Sequence, residues 1–246
     1  MQTTNHPTSN HLAHKFQSAY RAGHSTETAL LHIASDILTA PDASQVSILA
    51  LLDLSAAFDT IDHFILLCRL EQQFGVSGLA LNWFKSYLSN RFQFVSATDS
   101  NSKLSELDYG VPQGSVLGPN LFVLYIQPLS QILFSHSCPH QFFADDTQLR
   151  KSCSLDHYDN TRNTLQTCIS DTKDWMTENK LSLNADKMET TLFNSSKLEH
   201  PPEPLSIYQT TISFSDSVRN LGFYLDKDFS MKEHINFICK TAFLEI

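Results

Sequence analysis

Three acids stand where strands are expected to end. Asp53 closes the apolar run Val46 to Leu54, and Asp145 and Asp146 occupy the turn of the hairpin around Phe142 to Thr147. Carboxylates gathered at one point repel each other, and their pKa values rise unless a cation lies between them. Mg²⁺ takes hard oxygen ligands, usually one or two protein carboxylates together with substrate phosphates. Two such ions about 3.5–4 Å apart can clamp the attacking and leaving oxygens of an in-line phosphoryl transfer. Adjacent strand residues point to opposite faces. Asp145 and Asp146 therefore serve together only if the turn re-aims one of them, and Asp145 is the better direct ligand. A solvated hairpin cap would use the same pair with no metal.

The second candidate is the loop Gly110-Val-Pro-Gln-Gly-Ser-Val-Leu-Gly-Pro119. Its glycines permit close approach of backbone to a ligand. Gln113 offers an amide that donates and accepts, and the N–H groups at the following helix start suit an anion. A plain Gly/Pro turn ahead of a helix would read the same way.

The elements that must hold these residues follow from periodicity. Ser25 to Leu38 is expected to be a helix capped by Thr26, followed by a turn over Pro41 to Gln45. Val46 to Leu54 reads as a strand buried on both faces. Helices are expected over Asp62 to Phe74 and Leu79 to Leu88, then a half-buried strand over Arg91 to Ala97 with Phe92 and Phe94 on one face. One helix from Asn120 to Phe134 follows, then a hairpin over Gln141 to Lys151 and a helix over Tyr158 to Asn179. Thr190 to Phe193, Leu205 to Phe214 and Asn220 to Asp226 are strand candidates, and Phe229 to Ile246 starts a last helix. Strands and helices interleave irregularly, so the class is α+β or mixed α/β.

The 246 residues fit one large domain or two small ones. With 41% apolar residues the chain can build a core, and with 7 glycines and 9 prolines it is not a low-complexity sequence. Net charge is −9, so the composition does not advertise a partner rich in phosphate. Five cysteines without a Cys-x-x-Cys pair suggest neither a zinc site nor a disulfide framework. Residues 1–14 read as a polar lead-in rather than a secretory signal, and the apolar stretches are too short to span a membrane. These features lead to the expectation of an intracellular chain with no membrane partner. His200-Pro-Pro-Glu-Pro204 reads as a surface loop.

Three blocks in order carry a resemblance: Leu51 to Asp62, Gly110 to Ser115, and Phe143 to Asp146. The chain closely resembles the reverse transcriptase of LINE-type (non-LTR) retrotransposons. Gln17 to Thr28 is similar to the family's fingers segment. Trp175 to Asn184, with Lys187 and Glu189, is similar to its fourth palm block, and Val218 to Phe223 to the block before the thumb. The fourth block departs from the family's usual Asn-Pro-x-Lys-Thr-Glu, reading Asn184-Ala-Asp-Lys-Met-Glu189.

The resemblance implies an α+β fold of the right-hand polymerase type. Its palm is an antiparallel sheet backed by helices, with partial fingers and a thumb largely missing. Residues 1–45 would be lead-in and partial fingers, 46–228 the palm, and 229–246 the start of the thumb. It implies RNA-directed DNA polymerase activity, with Asp53, Asp145 and Asp146 as catalytic, metal-binding acids for two Mg²⁺ ions, Mn²⁺ being able to substitute. Leu54, Phe58, Gln113, Gly114 and Lys187 would face the nucleotide: Phe58 beneath the sugar, where it would exclude a ribose 2′-OH, and Lys187 at the pyrophosphate leaving group. Phe58 as a core aromatic and Lys187 as a surface lysine remain open readings. Asp59 and Asp62 read as local caps. The implied partners are an RNA template, a DNA primer, dNTPs and other parts of a retrotransposon polyprotein. A non-catalytic RNA-binding remnant of the same fold is the alternative. A magnesium phosphohydrolase would leave the Gly110 loop unexplained.

Overall fold

The computed structural model describes residues 15–42, 45–98, 100–194, 198 and 202–244. The expected lead-in over 1–14, and residues 200 and 201 of the expected surface loop, lie outside the described residues.

Helix α1 (Thr26–Asp42) is opened by Ser25 rather than Thr26. The Thr28 N–H donates to Ser25 Oγ (3.3 Å) and the Ser25 N–H donates to Thr28 Oγ1 (2.8 Å). A cap with a reciprocal partner three residues on satisfies two orphan groups at once. The helix runs past Leu38 and through Pro41, shortening the expected turn. One proline in a last turn removes a single N–H without excluding the helix.

Strand β1 (Gln45–Leu52) ends before Asp53, and the chain re-enters as the short β2 (Leu54–Ser55). Helix α2 (His63–Gln72) is capped by Asp62, whose Oδ1 accepts from the Ile65 N–H at 2.9 Å, as expected for that acid. Helix α3 (Gly78–Leu88) follows. The strand expected over Arg91 to Ala97 is instead two short pieces. β3 (Phe92–Gln93) pairs with β6 (Ser105–Glu106), and β4 (Ser96–Ala97) with β5 (Ser100–Asn101). Phe92, Phe94 and Val95 are all more than half exposed. Alternation gave them an apolar face, but a thin two-stranded arm supplies no second layer to bury it.

The single helix expected over Asn120 to Phe134 is broken into α4 (Gly118–Ile126) and α5 (Leu129–Ser135). Pro128 sits at the break, where it has no N–H for a continuing helix. Strands β7 (His140–Phe143) and β8 (Asp146–Ser154) form the expected hairpin. Helix α6 (Tyr158–Glu178), β9 (Ser182–Leu183) and β10 (Glu189–Phe193) come next. Leu205 to Phe214 is a hairpin, β11 (Leu205–Ile207) with β12 (Thr210–Ile212). Of the strand expected over Asn220 to Asp226, Phe223–Asp226 forms β14, and a turn at Leu221-Gly222 joins it to β13 (Ser217–Asn220). Leu221 (φ +48°) and Gly222 (φ +86°) both turn left-handed, as a tight two-residue hairpin loop demands. Helix α7 (Lys232–Leu244) begins later than Phe229 because Phe229 and Met231 have positive φ.

The central sheet has the order β10-β1-β8-β7, antiparallel throughout. Val46, Ile48, Ala50 and Leu52 of β1 enter the main core with Leu121, Phe122 and Leu165. Leu49 on the opposite face joins Ile33 and Ile37 of α1 and Phe193 of β10. Helices on both faces explain why this antiparallel strand carries a continuous apolar run. Buried Arg69 fastens α2, α4 and α6: it donates to the Tyr125 carbonyl and to Asn179 Oδ1, and the Tyr125 hydroxyl donates to the Asn179 carbonyl at 2.6 Å.

The loop before α4 is knitted to the turn after β2. The Gly110 N–H donates to the Ile61 carbonyl (2.8 Å), and the Val111 N–H to the Phe58 carbonyl (2.9 Å). Gly110 has φ +84°, and a Cβ there would lie 3.0 Å from the Asp59 carbonyl oxygen. Gly110→Ala is expected to cost about 1–2 kcal/mol from the left-handed conformation alone, a fall of roughly 2–8 °C in melting temperature for a chain of this size. Gly75 has φ +67°, but a Cβ there would meet no atom within 4 Å, so Gly75→Ala is expected to cost less. Equal losses by thermal denaturation would mean the close approach at Gly110 is not a constraint.

Candidate active site

The β1–β8 register places Leu52 opposite Thr147, so Asp53 and Asp146 are the next residues along the two strands. Asp145 sits beside them in the two-residue turn Ala144-Asp145, closed by the Phe143–Asp146 pair. The turn thus gives the two adjacent acids different backbone settings, which a regular strand could not. Ala144 takes φ +56°, a conformation costing an L-residue roughly 1–2 kcal/mol.

The segment after α6 comes to the same place. β9 pairs with β2, and the Asn184 N–H donates to the Asp53 carbonyl at 2.9 Å. A short 3₁₀ turn over Ala185–Lys187 then brings Lys187 Nζ to 3.1 Å from Asp53 Oδ2. The lysine side chain is 65% exposed, so the pair contributes at most about 1 kcal/mol.

Burial, followed by the charges of Asp145 and Asp53, pushes the Asp146 carboxyl up to about 6. Burial is also the largest influence on Asp145 and raises it; Asp53 adds to the rise, while a hydrogen bond to its own backbone and the Lys187 charge oppose it. A cleft of 630 Å³ opens beside the acids, lined by Asp53, Asp146, Gln148, Lys187, Arg219 and Asn220 among others. Among the described residues, no three His, Cys, Asp or Glu side chains form a ready-made metal cage. The carboxylate oxygens nevertheless fit Mg²⁺, which completes its shell with water and substrate phosphates. A divalent cation beside them would relieve the repulsion that helps raise Asp145 and Asp146.

The remaining expected residues divide. Leu54 is buried and its side chain belongs to the main core, so only its backbone is available to a ligand. Half-buried Phe58 packs on Phe122 with ring centroids 5.0 Å apart, at the edge of that core. Gln113 is exposed and its Nε2 donates to both carboxylate oxygens of Asp59, at 3.1 and 3.2 Å. Exposed Gly114 has φ +76° and open space at its Cβ position. Ser115 is already engaged, donating to the Pro112 carbonyl (2.7 Å) and accepting from the Gly118 N–H (3.0 Å) and the Tyr87 hydroxyl (3.2 Å). Arg219 and Asn220 at the cleft, and Gln17, whose side chain reaches the acidic turn, lie in blocks that carry the family resemblance but were expected to have no role at the acids. The fold brings them in from distant segments.

The family described as "Reverse transcriptase (RNA-dependent DNA polymerase)" matches residues 2–225. A probable RNA-directed DNA polymerase from transposon X-element of Drosophila melanogaster is 29% identical over 89% of this chain and 24% of its own length. An RNA-directed DNA polymerase from mobile element jockey of Drosophila funebris is 25% identical over 90% of this chain and 24% of its own length. The chain thus spans about a quarter of these curated relatives. Among solved structures, apo telomerase from Candida tropicalis, truncated from its C-terminal domain, superposes with a TM-score of 0.58. It is 11% identical, over 85% of this chain and 39% of the other. Telomerase from Candida albicans in complex with a fragment of telomeric RNA superposes at 0.52, with 15% identity over 80% and 33%. These likenesses concern the fold. No helix among the described residues is long and apolar enough to cross a membrane.

The acid cluster makes stability depend on pH. The folded-state value of Asp146, about 6, lies above its ordinary 3.8, so the folded chain binds this proton more tightly than the unfolded one. That contribution is full below the ordinary value and is lost as pH rises through about 6. In metal-free buffer, Asp146→Asn is therefore expected to show a smaller rise in melting temperature than the parent between pH 7 and pH 5. Parallel pH profiles would contradict the assignment.

Proposed function

The chain belongs to the reverse transcriptase (RNA-dependent DNA polymerase) family, and from that premise we propose that it performs RNA-templated DNA synthesis as the palm of a LINE-type retrotransposon polymerase. The observation that supports this most directly is the register that sets Asp53 next to Asp146, with Asp145 in the adjoining turn.

Asp53 and Asp145 would hold two Mg²⁺ ions, or Mn²⁺ in their place, with Asp146 assisting. When bound, the ions supply charge stabilisation at the attacking and leaving oxygens of phosphoryl transfer. Within this reading a primer 3′-hydroxyl is brought in line with the α-phosphate of a dNTP along an RNA template. Lys187, paired with Asp53, would neutralise the pyrophosphate as it leaves. Gln113 and Gly114 offer an exposed amide and backbone to the incoming nucleotide, while Leu54 contributes through its backbone. Phe58 at the core edge would lie beneath the sugar and leave no room for a 2′-OH. Residues 1–45 would then be lead-in and partial fingers, 46–228 the palm and 229–246 the start of a thumb. Positioning supplies most of the acceleration in such chemistry, and a misplacement of about 1 Å can cost on the order of 100-fold. Other parts of a polyprotein would help hold template and primer, because a net charge of −9 gives the chain no general attraction to phosphate.

Extension of an oligo(dT) primer on poly(rA) tests the reading, with the chain alone and joined to fingers and thumb segments of a relative. The joined protein should extend, and Asp53→Ala should lower the rate by at least about 100-fold. Extension that survives Asp53→Ala would overturn the metal-site reading. Binding of the RNA without extension in either form would favour the non-catalytic remnant, and phosphate release without template the phosphohydrolase.

Sugar choice gives a separate check. In the active form, Phe58→Ala should admit ribonucleotides that the parent rejects while changing use of deoxynucleotides little, since the change opens space and adds no attraction. Some loss of stability is expected too, because the Phe58–Phe122 packing goes with it. Equal discrimination by parent and variant would return Phe58 to a purely structural role.

A further inference from the structure

β7 is the last strand of the central sheet, yet its outer edge is occupied. Residues 16–18 lie along it: Gln17 bridges Phe142 in the parallel sense, the Phe142 N–H donates to the Phe16 carbonyl (2.8 Å), and the Ser18 N–H donates to the Phe142 carbonyl (3.0 Å). Gln141 reinforces the seam from β7, its Nε2 donating to the Phe16 carbonyl at 2.6 Å and to Ser18 Oγ at 2.8 Å.

From this seam the buried side chain of Gln17 reaches one residue beyond the strand. Its Oε1 accepts from the Ala144 N–H at 3.1 Å and from the Ala19 N–H at 2.9 Å, and its Nε2 donates to the Ala144 carbonyl at 3.5 Å. One carboxamide thus brackets both backbone groups of Ala144, the left-handed residue that precedes Asp145. Rotation of Ala144 toward an ordinary conformation would break these bonds and leave buried polar groups without partners. The same N-terminal segment carries Tyr20, whose phenol is pushed up by burial and by the charge of Asp145.

We propose that Gln17 is a positioning residue of the active site: its carboxamide fixes the turn at Ala144 and thereby the aim of Asp145. This rests on the reading of Asp145 as a metal-holding acid. A glutamine that only filled the sheet edge would keep the chain folded without affecting what the turn binds.

Two measurements on the 246-residue chain separate these cases: binding of Mn²⁺ alone, followed by the electron paramagnetic resonance of the free ion, and amide hydrogen exchange along the hairpin. Gln17→Met keeps the length and apolar packing but makes neither bond to Ala144. It is expected to weaken Mn²⁺ binding about 10-fold, as loss of a group that orients a ligand does, and to speed exchange at Ala144 and Asp145 while β1 and α6 exchange as in the parent. Asp145→Asn should weaken Mn²⁺ binding in its own right. If Gln17→Met does not fold, Gln17→Asn, one methylene shorter, carries the same expectations. Parent-like Mn²⁺ binding in the Gln17 variant, whether or not exchange quickens, overturns the proposal when Asp145→Asn still loses affinity. A parent that binds no Mn²⁺ instead overturns the metal-holding reading, and the proposal falls with it.

Discussion

Gathering carboxylates at one partly buried point is the constraint on which this architecture turns. Asp53 and Asp145 raise the cost of ionising Asp146, and Asp53 that of ionising Asp145, so nothing local would bring them together. The register of β1 against β8 does so regardless. Once Leu52 lies opposite Thr147, Asp53 and Asp146 are neighbours, and the hairpin adds Asp145. The apolar residues of β1 set that register, since a slip by one position would exchange the faces that meet the two cores. Hydrophobic burial therefore holds in place a charge cluster that opposes itself.

The surrounding structure repeats this division of labour. Val46, Ile48, Ala50 and Leu52 anchor one face of β1 to the main core, and Leu49 anchors the other to α1 and β10. Arg69 ties α2 to α4 and to the end of α6, with its charge satisfied by a carbonyl and an amide oxygen. The loop from Gly110 is laid against the turn carrying Phe58 and Asp59 by backbone hydrogen bonds, and Gln113 then reaches back to Asp59. Gln113 and Lys187 are both exposed, and each is paired with a carboxylate, Asp59 and Asp53 respectively.

Much of this was legible in the sequence. The apolar run before Asp53, the hairpin at Asp145 and Asp146, and the cap at Asp62 each carry a local signal: a continuous hydrophobic stretch, a turn between two strand patterns, an Asx residue before a helix. The ordered blocks identified the family, and the match over residues 2–225 agrees. Local signals failed where packing partners decided the outcome. Phe92 and Phe94 alternate as a buried strand should, but the arm that carries them meets no second layer. Pro128 broke a helix whose apolar pattern ran on, and the Leu221-Gly222 turn split an expected strand.

The sequence by itself determined the strand before Asp53, the hairpin at Asp145 and Asp146, most of the helices and which family the chain belongs to, because those depend on composition and spacing along the chain. Only the tertiary structure decided that Leu54 is spent on the core, that Lys187 lies on Asp53, that Asp146 holds its proton to about pH 6, and that Gln17 brackets Ala144. The physical reason is distance along the chain. Gln17 and Ala144 are 127 positions apart, and no periodicity or propensity connects residues so far separated. Their meeting is fixed by strand order and by the burial of faces that neither residue carries.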